Sequence, residues 1–159
     1  MNELTQSEQA AFFRAALFLG LVRGETVVQW ADETLARWSD VPAAFVEIAS
    51  IPAGDLTALR LALLRLCDER EPDRVIRAVL GLVRHQLASG RRSFGDTMTV
   101  LKQMRGSIKL APELADTLRQ FELQFLRASR TGEMTPLEVH VHDWLKQHGG
   151  SADRPMPDQ

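Results

Sequence analysis

Residues 10–22, AAFFRAALFLGLV, set the tightest limit on what this chain can become. These thirteen residues carry one charge, Arg14. Wound as a helix they leave no polar face: Phe12 and Leu19 point one way, Phe13 and Leu17 another, Phe18 and Val22 a third. A helix that is apolar all round must be covered on all sides, by its own domain or by a partner. Its length is about 20 Å, against roughly 30 Å of bilayer hydrocarbon, so it does not read as a membrane span. It reads as a core helix that the other segments wrap.

The rest of the chain can supply that shelter. At 159 residues, 45% hydrophobic and 25% charged, it has the make-up of an ordinary globular protein and enough material for a core without disulfides or metals. The single cysteine, Cys67, lies in the apolar run LALLRLC and reads as a small buried hydrophobe in a reducing compartment, not as a nucleophile. The opening MNELTQSEQ lacks the basic start of a secretion signal, so the expected location is cytoplasmic.

Helix signals recur throughout, and no segment alternates apolar and polar residues. Thr5 and Glu8 form a capping box that starts the first helix, and Gly24 is placed to end it. A second helix, 25–38, puts Val27, Trp30, Ala31, Leu35 and Trp38 on one side. Ser39 and Asp40 read as the cap of a short helix, 42–49, with Pro42 in its first turn. Asp55 caps a fourth, 56–69, whose leucines 56, 59, 63, 64 and 66 make it the second most buried element. A fifth, 72–90, buries Val75, Ile76, Val79, Leu80, Leu82, Val83 and Leu87 opposite Arg74, Arg77 and Arg84. Ser93 caps a sixth that ends near Arg105 and turns Phe94, Met98, Leu101 and Met104 inward. Pro112 opens a seventh, with Leu114, Leu118, Phe121 and Phe125 inward and a stop at Gly132. Thr135 and Glu138 form a second capping box, starting a helix that buries Leu137, Val141, Trp144 and Leu145 and stops at Gly149.

The expectation is therefore an all-α, single-domain protein of about eight helices over residues 1–150, a bundle or short helical superhelix, with a disordered tail at 151–159. No internal repeat of helix-hairpin length supports a true repeat array.

Chemistry finds little foothold. His140 and His142, with Asp143 and His148 nearby, suggest metal ligands, but His140 and His142 diverge by about 200° around a helix and read as solvated side chains. Glu138 and His142 read as an i, i+4 surface pair. His85 sits beside the arginine face without a carboxylate partner. The chain contains no G-x-S-x-G, glycine-rich phosphate loop, C-x-x-C or H-E-x-x-H. No catalytic, cofactor-binding or metal residue is assigned, and the expectation is a protein that is not an enzyme. Arg14 reads in two ways: a packed stem whose head reaches water or a carboxylate such as Glu47, or a buried ion pair that fixes helix register.

Charge is the more informative signal. Residues 1–55 carry net −5, residues 56–110 net +6 and the remainder net −3. Glu25, Asp32, Glu33 and Asp40 can form an acidic surface that steers a basic partner, and Arg74, Arg77, Arg84, Arg91 and Arg92 a basic one that steers an acidic partner. Nucleic acid is not expected, since no aromatics interleave with the arginines and no helix-turn-helix is recognisable. With a net charge of −2 there is likewise no general pull toward an anionic membrane.

One resemblance is carried by Leu19-Gly20-Leu21-Val22, then Val27-Val28-Gln29-Trp30-Ala31-Asp32, then Pro42 and Phe45-Val46-Glu47-Ile48-Ala49. Over roughly the first 50 residues the chain resembles small all-helical bacterial proteins of the toxin-immunity type. The resemblance implies a binding protein that occludes a cognate toxin or effector and performs no chemistry of its own. It points to Gln29 and Asp32 as partner contacts and to Trp30 as a packing residue. The basic middle of the chain departs from what an inhibitor of a basic nuclease would carry, which leaves the toxin class open.

The functional expectation is thus protein–protein interaction, with Glu25, Gln29, Asp32, Glu33, Arg74, Arg77 and Arg84 as partner-binding candidates. The alternative is a self-associating adaptor or scaffold, a homodimer formed through the second side of the first helix at Leu19.

Overall fold

The computed structural model describes residues 4–67 and 72–150, and among these the protein is all-α, with eight helices and no strand. In order they are α1 (Gln6–Phe18), α2 (Gly24–Arg37), α3 (Ala43–Ser50), α4 (Leu56–Leu64), α5 (Pro72–Ala88), α6 (Phe94–Ser107), α7 (Pro112–Thr131) and α8 (Thr135–His148). The chain divides into two compact units, one reaching Val79 and the other starting at Leu80. The boundary falls within α5, so no linker announces it in the sequence. The expected tail at 151–159 and the expected end of the fourth helix at 69 lie outside the described residues.

In the first unit, Thr5 Oγ1 accepts from the Glu8 N–H (3.2 Å) while Glu8 Oε2 accepts from the Thr5 N–H (2.7 Å), the reciprocal box that starts α1. The helix stops earlier than Gly24. Gly20 takes a left-handed φ of 69°, its N–H donates to Leu17 O and the Leu21 N–H reaches back to Ala16 O, which closes the helix end. Gly24 instead opens α2, where any Cβ would run into the Ala53 carbonyl. The greasy stretch is sheltered as expected at Ala10, Phe12, Phe13, Ala16, Leu17, Leu19, Leu21 and Val22, but Phe18 is 40% exposed.

Trp30 ties three helices together. Its ring packs 4.9 Å from Phe13 of α1 and 5.0 Å from Phe45 of α3, and its indole N–H donates to Gln9 Oε1 at 2.8 Å. Trp38 does not join this side as the sequence pattern suggested. The helix ends at Arg37, Trp38 adopts extended backbone, and its side chain is 61% exposed. Nor do Ser39 and Asp40 cap α3: Pro42 occupies the cap position, and no side-chain bond is made there.

Asp55 caps α4 as expected, accepting from the Ala58 N–H at 3.0 Å. The helix is less buried than its leucines imply. It contacts α1, α2 and α3. Leu59, Ala62 and Leu63 pack inward, while Leu56, Leu61 and Leu64 are exposed. The first half of α5 is held by Arg74, whose Nη1 donates to Glu8 Oε1 at 2.9 Å. Glu8 is 5% exposed, so its carboxylate caps one helix and anchors another out of water.

In the second unit, the apolar face predicted for α5 is buried at Leu80, Leu82, Val83 and Leu87. A Cβ on Gly81 would meet the Gly150 carbonyl oxygen at 2.5 Å, so the helix surface passes the end of α8 at backbone distance. Ser93 caps α6 by accepting from the Asp96 N–H, and Gly132 (φ 78°) ends α7. Phe121 of α7 stands edge-on to Trp144 of α8 at 5.4 Å. The second capping box is absent: Thr135 lies inside α8, Met134 is the cap residue, and Pro136 lies in the first turn.

Glu122 of α7 accepts from Arg105 Nη2 of α6 at 2.7 Å and faces Lys102 Nζ at 3.5 Å. The Arg105 hydrogen bond, joined by the charges of Arg105 and Lys102, outweighs burial and holds this carboxyl below its ordinary range. A carboxyl depressed by folding stabilises above the unfolded-state titration, and that contribution fades as pH falls through the folded-state value. Thermal melts of wild type and Glu122→Gln should therefore differ most near neutrality, wild type melting higher, and converge only once pH has fallen below the ordinary glutamate range. A gap that persists unchanged into strong acid would contradict this role.

Candidate partner-binding surface

The acidic candidates come together on α2. Burial of Val27, Trp30, Ala31 and Thr34 fixes which side of this helix faces the core. Glu25, Gln29 and Asp32 recur at i, i+4 and i+7 on the other side, and all three are exposed. Glu33 is half-buried at the edge of this face, and its Oε1 accepts from Gln29 Nε2 at 3.0 Å. Glu25 and Asp32 form no ion pair among the described residues. Asp40 is exposed just past the helix, as is Trp38, a large aromatic that the periodicity had assigned to the core. The surface is a negative strip on a helix anchored by the Trp30 contacts.

The basic candidates divide between the two units. Arg74 is half-buried and engaged with Glu8. Arg77 is exposed in the first unit. In the second, Arg84 is half-buried, Arg91 is exposed, and Arg92 donates through Nε to Gln86 Oε1 at 3.0 Å.

Arg14 is half-buried, but Glu47 is not its counterion. Both Glu47 carboxylate oxygens accept from Arg65 Nη1, at 2.8 and 2.7 Å. Leu19, expected at a dimer contact, is covered by its own chain and offers no docking surface.

The histidines sit among aromatic rings or in solvent. His140 meets the Phe121 ring edge-on at 5.2 Å, His148 stacks on Trp144 at 4.7 Å, and His85 and His142 are exposed. Among the described residues no group of three His, Cys, Asp or Glu side chains could hold a metal ion. Cys67 is half-buried, its Sγ 3.2 Å from Leu63 O. No described helix is long and apolar enough to cross a membrane.

No family model, curated protein or solved structure matches the chain.

The contrast between Asp32 and Arg74 is measurable without any partner. In urea unfolding, Asp32→Lys should leave stability within about 0.5 kcal/mol, as an exposed substitution does. Arg74→Met should cost about 1–3 kcal/mol, because the buried Glu8 carboxylate loses a charged donor. Equal effects from the two variants would overturn the division between a structural and an available charge.

Proposed function

We propose that this chain acts by binding another protein through the outer face of α2, without catalysing a reaction, in the manner of an immunity protein that occludes a toxin or effector. The observation that carries this reading is the strip of Glu25, Gln29 and Asp32, whose two acids form no ion pair among the described residues, on a helix that Trp30 holds in place. A strip of one sign on a rigid element raises the encounter rate with a surface of opposite sign and fixes the register of docking. The chemistry that answers it is a patch of lysine and arginine on the partner, with room for an indole at the Trp38 end.

Occlusion requires neither a cofactor nor a proton-transfer group from this chain. The resemblance at Gln29-Trp30-Ala31-Asp32 supports the same division of labour, with Gln29 and Asp32 facing the partner and Trp30 facing inward.

Affinity capture from the source cell, followed by calorimetry on the purified partner, tests the reading. The expected partner is basic, binds more weakly as salt rises, and loses about tenfold or more in affinity when Glu25 and Asp32 are both replaced by lysine. Expressed alone the partner should slow growth, and co-expression with the wild-type chain should restore it. Equal affinity for wild type and the double variant would remove α2 from the binding surface.

A further inference from the structure

The outward side of α4 is the other feature that a lone folded chain does not explain. Leu59, Ala62 and Leu63 face the core, and one flank of the helix presents Leu56, Arg60 and Leu64 at i, i+4 and i+8, with Leu61 turned furthest outward. Leu61 is 58% exposed and Leu64 44%. Single exposed leucines are ordinary. Three on one short helix, next to the exposed Phe18 of α1, form a patch of the kind that marks a contact surface.

Arg60 lies in the middle of it. Its guanidinium carbon is 4.7 Å from the centre of the Phe18 ring, and its Nε is buried without a hydrogen-bond partner. Arg60 has no ion pair among the described residues, and the Glu47 carboxylate is engaged with Arg65 of the same stretch. Stacking on a ring holds the planar fork in one orientation, so little freedom is lost when it meets an anion. Arg14, one turn before Phe18 on α1, adds a second cation without an ion pair among the described residues.

We propose that this α1–α4 face is a second docking surface, distinct from the acidic strip of α2, and that its occupant is an acidic helical segment of another protein. A carboxylate of that segment meets Arg60, and apolar side chains one turn to either side cover Leu56 and Leu64. Positions four residues apart on α4 are about 6 Å apart, the spacing at which a helix laid alongside offers side chains from successive turns. A second copy of this chain fits poorly: a two-fold axis through the strip would set Arg60 against its own symmetry mate, and α4 itself carries no acid to answer it. An anionic lipid surface fits poorly too, because such binding calls for clusters of about four to eight basic residues and the strip offers two.

Selection from a phage-displayed peptide library against the full chain tests the proposal. The expected result is enrichment of helix-forming peptides with Asp or Glu flanked four residues away by Leu, Ile, Met or Phe. Their affinity, read by fluorescence anisotropy, should fall about tenfold or more on Arg60→Gln and on Leu64→Gln and stay unchanged on Asp32→Lys. Melting curves of the two α4 variants separate lost contact from lost fold, and a peptide glutamate changed to glutamine should reproduce the loss on the unaltered chain. No enrichment, enriched peptides lacking a carboxylate, or equal binding to Arg60→Gln would overturn the proposal. So would a dimer in light scattering that Leu61→Glu dissociates, or Arg60-dependent sedimentation with phosphatidylserine vesicles. These last two results would assign the face to a second copy or to lipid.

Discussion

The first unit depends on one aromatic contact: the Trp30 ring held between Phe13 and Phe45. Three helices meet on that side chain, and the Gln9 amide satisfies the one polar atom it carries inward. Phe12 extends the cluster along α1 through an edge-on contact with Phe13 at 5.2 Å. An aromatic group of this size contributes through buried area and through ring geometry together, so α2 cannot rotate without breaking both. Because α2 is fixed, the orientation of its outer face is fixed as well. The direction in which Glu25 and Asp32 point follows from where Trp30 packs.

How far the sequence revealed this depends on the kind of signal. Residues 10–22 were legible as core because thirteen residues with one charge leave little choice, and the buried face of α5 was legible because its period of 3.6 is unbroken. Where two residues compete for one role, the sequence is ambiguous. Gly20 and Gly24 both suit the end of a helix, and only the backbone contact at Ala53 explains why Gly24 begins one instead. Thr135 and Glu138 spell a capping box, yet the helix starts a residue earlier than that box requires. α4 repeats the all-round leucine pattern of α1, and no local property distinguishes a helix covered on every side from one covered on one. Tertiary neighbours decide it, and α4 packs only inward.

The charges divide in the same way. Glu8 and Arg74 lie far apart in sequence and look like two surface residues, but the fold spends them on each other. Glu47 finds Arg65 instead of Arg14, and Glu122 finds Arg105. After these pairings the charges without an ion pair among the described residues of the first unit include Glu25 and Asp32 of α2 and Arg60 of α4. Periodicity could indicate the α2 face, because its polar side is opposite its apolar one. It could not indicate Arg60, whose significance comes from a Phe18 ring on another helix.

The placement of Trp30 can be measured directly by its fluorescence. In a variant carrying Trp38→Phe and Trp144→Phe, Trp30 is the sole emitter among the three tryptophans. Its emission should be blue-shifted and resistant to quenching by iodide until the protein unfolds. Red-shifted emission that iodide quenches freely in the folded protein would mean that the ring is wet, and that neither the core of the first unit nor the orientation of its acidic face is as described.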